Sequence, residues 1–181
     1  MAHFEKTLES TEQFRGKIFR VTRDVVELEN GNTSFREILH HNGGAGVVAM
    51  TENREVYMVR QFRYAFSREL LEIPAGKLEQ GEDPKAAALR ELQEECGLVA
   101  DNVTDLGPIY PTVGYDTEVI YTYLATGLRE VEVCPDEDEF ITLEKWPLAS
   151  LVDMVMAGEI RDGKTVAALL KVWLLQQDQE Q

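Results

Sequence analysis

Apolar β-formers stand among polar residues on both sides of a turn across residues 17–40. Ile18, Phe19, Val21 and Val25 lead into Asn30-Gly31-Asn32, and Phe35 to Leu39 follow it. β-branched and aromatic residues on either side of an Asn-Gly turn predict a β-hairpin. This hairpin is too polar to enclose a core of its own, so it is expected to pack on something else. His40-His41-Asn42-Gly43-Gly44 marks a junction, and the body of the chain begins at Ala45. Residues 46–50, 55–60, 69–73, 105–110, 118–125 and 140–144 read as strands. Asp83-Pro84 opens a helix, with Asp83 as N-cap and Pro84 at the first helical position, where its missing N–H costs nothing. Ala86, Ala87, Ala88 and Leu89 propagate that helix and Gly97 closes it. Pro147 to Met156, stopped by Gly158, predicts a short helix. Lys164 to Gln177 predicts the last one, with Val166, Leu169, Leu170, Val172, Trp173 and Leu174 as its apolar stripe. Strands interspersed with helices place the chain in the α/β or α+β class, a sheet with helices on its faces.

The helix after Asp83 carries Glu91, Glu94 and Glu95 at positions i, i+3 and i+4. Those positions share one helical face, where like charges repel. A divalent cation reverses the sign of that cost, because hard metal ions bind several carboxylate oxygens. The spacing therefore predicts a metal site on a helix. A solvated acidic helix is the competing reading.

Charge narrows the choice of partners. The chain of 181 residues has 33 acidic and 18 basic side chains, a net charge of −15. That balance argues against broad binding of nucleic acid or an anionic membrane, which need a positive footprint. A phosphorylated small molecule stays compatible, since metal ions bridge acid to acid. Cys96 and Cys134 are too few for a disulfide framework and read as free thiols in a reducing cytosol, hence a cytoplasmic protein. Glu5, Glu9 and Glu12 in a segment without an apolar run argue against a signal peptide. No stretch approaches 18 apolar residues, so no membrane span is expected. Gly43-Gly44-Ala45-Gly46 lacks the following Lys-Ser/Thr of a phosphate loop. His3, His40 and His41 show no ligand spacing.

Gly76, Glu82 and Arg90-Glu91-Leu92-Gln93-Glu94-Glu95-Cys96-Gly97-Leu98 together resemble the Nudix box, G-x5-E-x7-R-E-U-x-E-E-x-G-U with U apolar, at every specified position. A chance match at one given start has a probability on the order of 1 in 10^9. The resemblance implies an α/β/α sandwich with a mixed sheet, and hydrolysis of a nucleoside diphosphate linked to another group. Mg2+, or Mn2+, suits such an all-oxygen site. Carried onto this chain, Glu91 and Glu95 are expected as metal ligands, with Glu94 beside them and the backbone carbonyl of Ala75 as a further ligand. Gly76 lets backbone approach the metal. Arg90 is expected to pair with a ligand carboxylate and fix its rotamer. Glu82 does the same, or else serves as a helix-entry charge. In similar ADP-ribose enzymes the catalytic base lies on an acidic loop before a late strand. Here Asp136-Glu137-Asp138-Glu139 precedes Phe140, and Glu137 and Glu139 are the candidates. Glu94 is a third, because another Nudix route uses a box glutamate.

The resemblance extends to about residues 14–177. Val59-Arg60-Gln61-Phe62-Arg63-Tyr64 and Glu72-Ile73-Pro74-Ala75-Gly76-Lys77-Leu78-Glu79 are similar to segments of bacterial ADP-ribose pyrophosphatases, as is the hairpin with Arg36-Glu37-Ile38. Such enzymes are homodimers that exchange the N-terminal arm. Residues 1–42 are thus expected as an exchanged arm and 43–181 as the hydrolase domain. Arg36, Arg63 and Glu72 are expected to contact substrate, and Tyr115 to stack on a base or sugar. Plain surface charge competes for the first three, and a core tyrosine for the last. ADP-ribose enzymes usually carry a proline fifteen or sixteen residues past the box. Here Val113 stands at the fifteenth, within Tyr110-Pro111-Thr112-Val113-Gly114-Tyr115. ADP-ribose, cleaved to AMP and ribose 5-phosphate, is the first expectation. A GDP- or UDP-sugar, a dinucleoside polyphosphate or an oxidised nucleotide is the alternative, and a non-cleaving nucleotide sensor the third.

Overall fold

The computed structural model describes residues 3–132 and 140–178. These form two compact units: the chain through Gly43 together with Tyr110–Val119, and Gly44–Ile109 together with the chain from Ile120. The first unit is an antiparallel sheet of β1 (Lys6–Arg15), β2 (Phe19–Glu27) and β3 (Thr33–His41) in that order. The β2–β3 hairpin is the one expected from its β-formers and its Asn-Gly turn. Gly31 sits at φ 81° in its turn, the left-handed region that glycine enters without penalty. Asn30 closes the turn by accepting a hydrogen bond from the Asn32 amide at 3.0 Å. Tyr110–Val119 joins this unit where the Leu39 amide donates to the Tyr115 carbonyl at 2.7 Å and the Thr117 amide to the Leu39 carbonyl at 3.0 Å.

Strand β1 was not expected. Its ten residues are exposed throughout, and its register against β2 slips between Thr7 and Glu9 and again between Glu12 and Phe14. Each bulge shifts the side chains that follow to the other face, so no sustained alternation survives in Lys-Thr-Leu-Glu-Ser-Thr-Glu-Gln-Phe-Arg.

The second unit contains β4 (Gly44–Met50), β5 (Glu55–Arg63), β6 (Arg68–Glu72), β7 (Ala75–Lys77), α1 (Pro84–Cys96), β8 (Leu98–Ile109), β9 (Ile120–Glu130), β10 (Ile141–Pro147), α2 (Leu148–Met156) and α3 (Gly163–Asp178). Its sheet runs β10-β5-β4-β9-β8, with β6 on β5 and β7 on β4. β4 and β9 are parallel and the other pairs antiparallel, so the sheet is mixed. β4 is buried along its whole length, and its alternation builds two cores. Ala45, Val47 and Ala49 pack with Ala87, Ala88, Leu92 and Cys96 of α1. Val48 and Met50 pack with Leu148, Leu151 and Val152 of α2 and Ala168, Leu169 and Val172 of α3. Helices therefore cover both faces of the sheet, the expected α/β/α sandwich. β8 begins at once after α1, earlier than residues 105–110 suggested, because it is an edge strand and carries Asp101, Asn102 and Asp105 without disturbing the core.

The helix signals around α1 are all used. The Asp83 carboxylate accepts from the Ala86 amide at 2.9 Å, Pro84 starts the helix, and Gly97 ends it at φ 62°, its amide reaching the Gln93 carbonyl at 2.9 Å. Leu92 is fully buried between Glu91 and Glu95 in sequence and anchors that turn to β4. Leu92→Ala is expected to cost about 2–5 kcal/mol by denaturant unfolding, the range for deleting a buried leucine side chain. Leu174→Ala, on the exposed side of α3, is expected to stay within about 0.5 kcal/mol of the parent.

Candidate active site

The site forms where β4 changes partner. Its C-terminal half pairs with β5 (Ala49 opposite Tyr57, Met50 opposite Val56), and its N-terminal half pairs with β7 (Ala45 opposite Gly76, Gly46 opposite Ala75). The three residues of β7 are too few to show a period in the sequence. This strand brings the backbone of Ala75 and Gly76 under α1. A Cβ on Gly76 would lie 1.8 Å from Oε1 of Glu91 and 2.0 Å from its carboxyl carbon. Any side chain at position 76 would displace the Glu91 carboxylate from this place. Beside it the Ala75 amide donates to Oε2 of Glu95 at 2.9 Å. Glu91 and Glu95 are 9% and 8% exposed, so two carboxylates one helical turn apart are both buried against main chain.

Arg90 holds the rest of the acidic face together. Its guanidinium donates to Glu82 at 3.0 and 3.3 Å, to Glu91 at 2.8 Å and to Glu94 at 2.8 Å. The hydrogen bonds to Glu82, then the charges and bonds of Glu91 and Glu94, raise the Arg90 pKa further above its ordinary value. In return Glu82 lies below the usual carboxylate range, held by Arg90 and by the Glu79 amide at 2.9 Å. Glu82 is thus a partner of Arg90 rather than a bare helix-entry charge.

Among the described residues no three acidic or imidazole groups already converge on one point, since Arg90 draws Glu91 and Glu94 toward itself. The donor set nevertheless fits a hard divalent cation. Its oxygens are those of carboxylates: one guanidinium faces three, Glu82, Glu91 and Glu94, and a fourth, Glu95, accepts from the Ala75 amide.

A second ionic cluster lies behind the first. Glu72, 1% exposed, ends β6 and forms a two-pronged pair with Arg63 at 2.6 and 2.7 Å; it also accepts from Lys164. Lys164 in turn reaches Asp162 at 3.0 Å. Burial pushes the Glu72 pKa up, but the Arg63 hydrogen bonds and the Lys164 charge outweigh it, and the net shift is downward. Arg63 and Glu72 therefore do meet, as an ion pair and not as two separate surface charges. Lys164, Asp162 and Thr165 were missed from the sequence. The available signal was Asp162 three residues before Thr165 at the head of a helix, an N-cap pattern.

The other candidates fall elsewhere. Arg36 on β3 pairs with Glu5 at 2.9 and 2.5 Å. Tyr115 is exposed, which removes the core-tyrosine reading, and Val113 is exposed in the same loop. Glu137 and Glu139 lie outside the described residues, as does Cys134; Glu94 is half-buried on Arg90. Cys96 is a buried free thiol.

The profile of the NUDIX domain matches residues 40–169, and that of the nucleoside diphosphate sugar hydrolase N-terminal domain matches residues 5–39. This chain belongs to the Nudix family. It is a Nudix pyrophosphohydrolase, and Nudix hydrolases generally use divalent metal ions. The methanol dehydrogenase activator of Bacillus methanolicus and the ADP-ribose pyrophosphatase of Bacillus subtilis (strain 168) are each 40% identical over 167 residues, 91% of this chain and 90% of theirs. The GDP-mannose pyrophosphatase of Escherichia coli (strain K12) is 33% identical over 163 residues, 85% of this chain and 78% of its own. A crystal structure of an ADP compounds hydrolase matches with a TM-score of 0.87 over 97% of this chain and 95% of that one, at 24% identity, a likeness of fold.

The depressed pKa of Glu72 fixes a sign. Its contribution to stability is full above the unfolded-state value of about 4.3 and is lost as pH falls through the lower folded value. Glu72→Gln leaves Arg63 and Lys164 facing a neutral amide and is expected to cost on the order of 3 kcal/mol at pH 7. The stability curves of parent and variant, measured by urea unfolding, are expected to converge as pH drops below about 4.

Proposed function

We propose that this Nudix hydrolase cleaves ADP-ribose to AMP and ribose 5-phosphate. The observation that carries the chemistry is the pair of buried carboxylates, Glu91 and Glu95, pressed against the backbone of Ala75 and Gly76. A pyrophosphate resists attack because its oxygens are already anionic. Two buried carboxylates in a chain of charge −15 repel such a substrate further unless a cation stands between them. Glu91, Glu95 and the Ala75 carbonyl would hold a divalent ion, with Glu94 as a further oxygen donor. The bound ion supplies neutralisation of the phosphate oxygens and a more acidic water. Arg90 offsets the mutual repulsion of Glu82, Glu91 and Glu94 and fixes their orientation. Water adds to one phosphorus and the bridging oxygen departs with the other phosphate, which conserves all atoms of substrate and water between the two products. The proton of that water passes to a carboxylate base, for which Glu137, Glu139 and Glu94 stand as candidates.

The substrate is argued by analogy. Relatives named ADP-ribose pyrophosphatase, 40% and 37% identical over 91% and 94% of this chain, favour ADP-ribose. The exposed Val113 in place of a proline, and relatives named GDP-mannose pyrophosphatase, favour a GDP-sugar as the second reading. Arg36, Arg63, Glu72 and Tyr115 are the residues assigned to substrate, with Glu72 acting through Arg63.

The arm carries Phe4, Leu8, Phe14, Ile18 and Phe35 on exposed positions. Such apolar surface calls for a cover, and we assign it to a second copy of this chain in a homodimer that exchanges the arm, residues 1–42. Among the described residues no helix is long and apolar enough to cross a membrane. A nucleotide-sugar substrate and a reduced Cys96 suit the cytoplasm.

Product release from ADP-ribose, GDP-mannose and a UDP-sugar, each with Mg2+ and with EDTA, tests the reading. AMP release from ADP-ribose is expected to exceed cleavage of the others and to vanish with EDTA. Faster cleavage of GDP-mannose would move the specificity and keep the chemistry. Glu95→Gln, which preserves shape and removes one anionic donor, is expected to lower kcat by at least about a hundredfold while the protein stays folded. Near-parent turnover would remove Glu95 from the metal site.

A further inference from the structure

Between β6 and β7 the chain crosses from one partner strand to another. β6 pairs with β5 and ends at Glu72; β7 pairs with β4 and begins at Ala75. Ile73 and Pro74 lie between the two ladders, and Ile73 is fully buried. Proline has no N–H, so Ile73 carries the one backbone donor in this crossing. A buried donor without a sheet partner is costly unless a side chain accepts from it. Here the acceptor comes from far along the chain. The Ile73 amide donates to Oγ1 of Thr165 at 3.0 Å. Thr165 itself is 0% exposed.

The threonine hydroxyl is not free to turn. It donates to Oδ2 of Asp162 at 2.5 Å, and the same oxygen accepts from the Thr165 amide at 3.0 Å. With its proton directed at Asp162, the hydroxyl presents a lone pair to Ile73. Two residues beyond Ile73, the Ala75 amide binds the Glu95 carboxylate at 2.9 Å. Between them the Pro74 carbonyl accepts from the Val47 amide of β4 at 3.0 Å. An unbroken series of hydrogen bonds and short backbone steps thus runs from the start of α3 to Glu95.

We propose that Thr165, its hydroxyl oriented by Asp162, is a positioning residue of the active site: it fixes the Ile73–Ala75 crossing and thereby the Glu95 carboxylate for divalent cation binding. This rests on Glu95 being a metal ligand. Thr165 touches neither substrate nor cation and acts through the backbone. The requirement is for the hydroxyl and not for bulk, so valine, of nearly the same shape, removes the effect and serine keeps it.

The probe is Mn2+ alone, titrated by calorimetry into the intact protein without substrate, with near-ultraviolet circular dichroism as the check of folding. Thr165→Val is expected to bind Mn2+ about tenfold more weakly, the lower end of what is lost when groups behind a metal ligand are removed. Thr165→Ser is expected to stay within about twofold of the parent, and in turnover assays the Thr165→Val loss is expected in kcat more than in KM. Folded Thr165→Val with parent affinity overturns the proposal, and so does Thr165→Ser as weak as Thr165→Val. Glu95→Gln separates the two levels: parent-like Mn2+ binding in that variant removes the metal-ligand reading itself. Loss of binding in Glu95→Gln with none in Thr165→Val removes only the positioning role. Should Thr165→Val not fold, amide hydrogen exchange in the parent decides. An Ile73 amide as slow as those of β4 supports the relay, and one as fast as those of β1 overturns it.

Discussion

Everything around this site answers one constraint, which is that carboxylates of like charge must sit together on one buried face of α1. Glu91 and Glu95 gain nothing for the fold by burial, since an ionised carboxylate leaving water needs partners to offset the loss. The chain supplies them from three directions. Arg90, on the same helix, spans Glu82, Glu91 and Glu94. The Ala75 amide takes Glu95. Gly76, by lacking a side chain, makes room for Glu91. Each partner reduces the cost without cancelling the negative charge, and that residual charge is the functional quantity. A site whose acids were all neutralised by lysine and arginine would be more stable and would have nothing left to offer a cation.

Most of the body was legible in the sequence because it follows simple periods. α1 declared both ends, through Asp83-Pro84 and Gly97, and its chemistry lies within one helical turn, where sequence spacing is spatial spacing. β4 reads as an apolar run and is buried on both faces. What escaped notice did so for physical reasons. β1 is exposed and twice bulged, so no face repeats. β7 is too short to show a period. The pairing of Arg63 with Glu72 joins neighbouring strands, β5 and β6, and the expected strand of residues 55–60 stopped short of Arg63. The Lys164 and Thr165 contacts span 92 positions of sequence, and no local pattern reports on such a distance. Legibility here therefore tracks contact range: the acidic face of α1 is local and was visible, whereas the groups packed behind it are distant and were not.

The two ionic clusters of the second unit share a construction. In each, an arginine forks onto a carboxylate of another segment. Arg90 joins the lead-in to α1 with its own helical turn, and Arg63 joins β5 to the end of β6. A guanidinium suits this role because its planar fork engages two oxygens at once and its charge persists at any working pH. A lysine at either place would hold one oxygen and leave the second to rotate. The residue that orients a metal ligand gains from rigidity more than from charge, since a ligand that wanders by an ångström gives up much of its effect.

That demand for rigidity explains why the crossing from β6 to β7 is built as it is. A strand that simply continued would keep its ladder bonds but could not pass beneath α1. By leaving β5 at Glu72 and joining β4 at Ala75, the backbone reaches Glu91 and Glu95, at the cost of two residues outside both ladders, of which Pro74 still accepts from the Val47 amide of β4. Pro74 removes one donor from the problem and narrows its own φ. The remaining donor, on Ile73, is taken by a hydroxyl that is itself locked by Asp162. The crossing is thus tied to the N-terminal end of α3, on the opposite face of the sheet from α1. The last helix holds the backbone next to the acidic face of α1 without contributing a carboxylate to it.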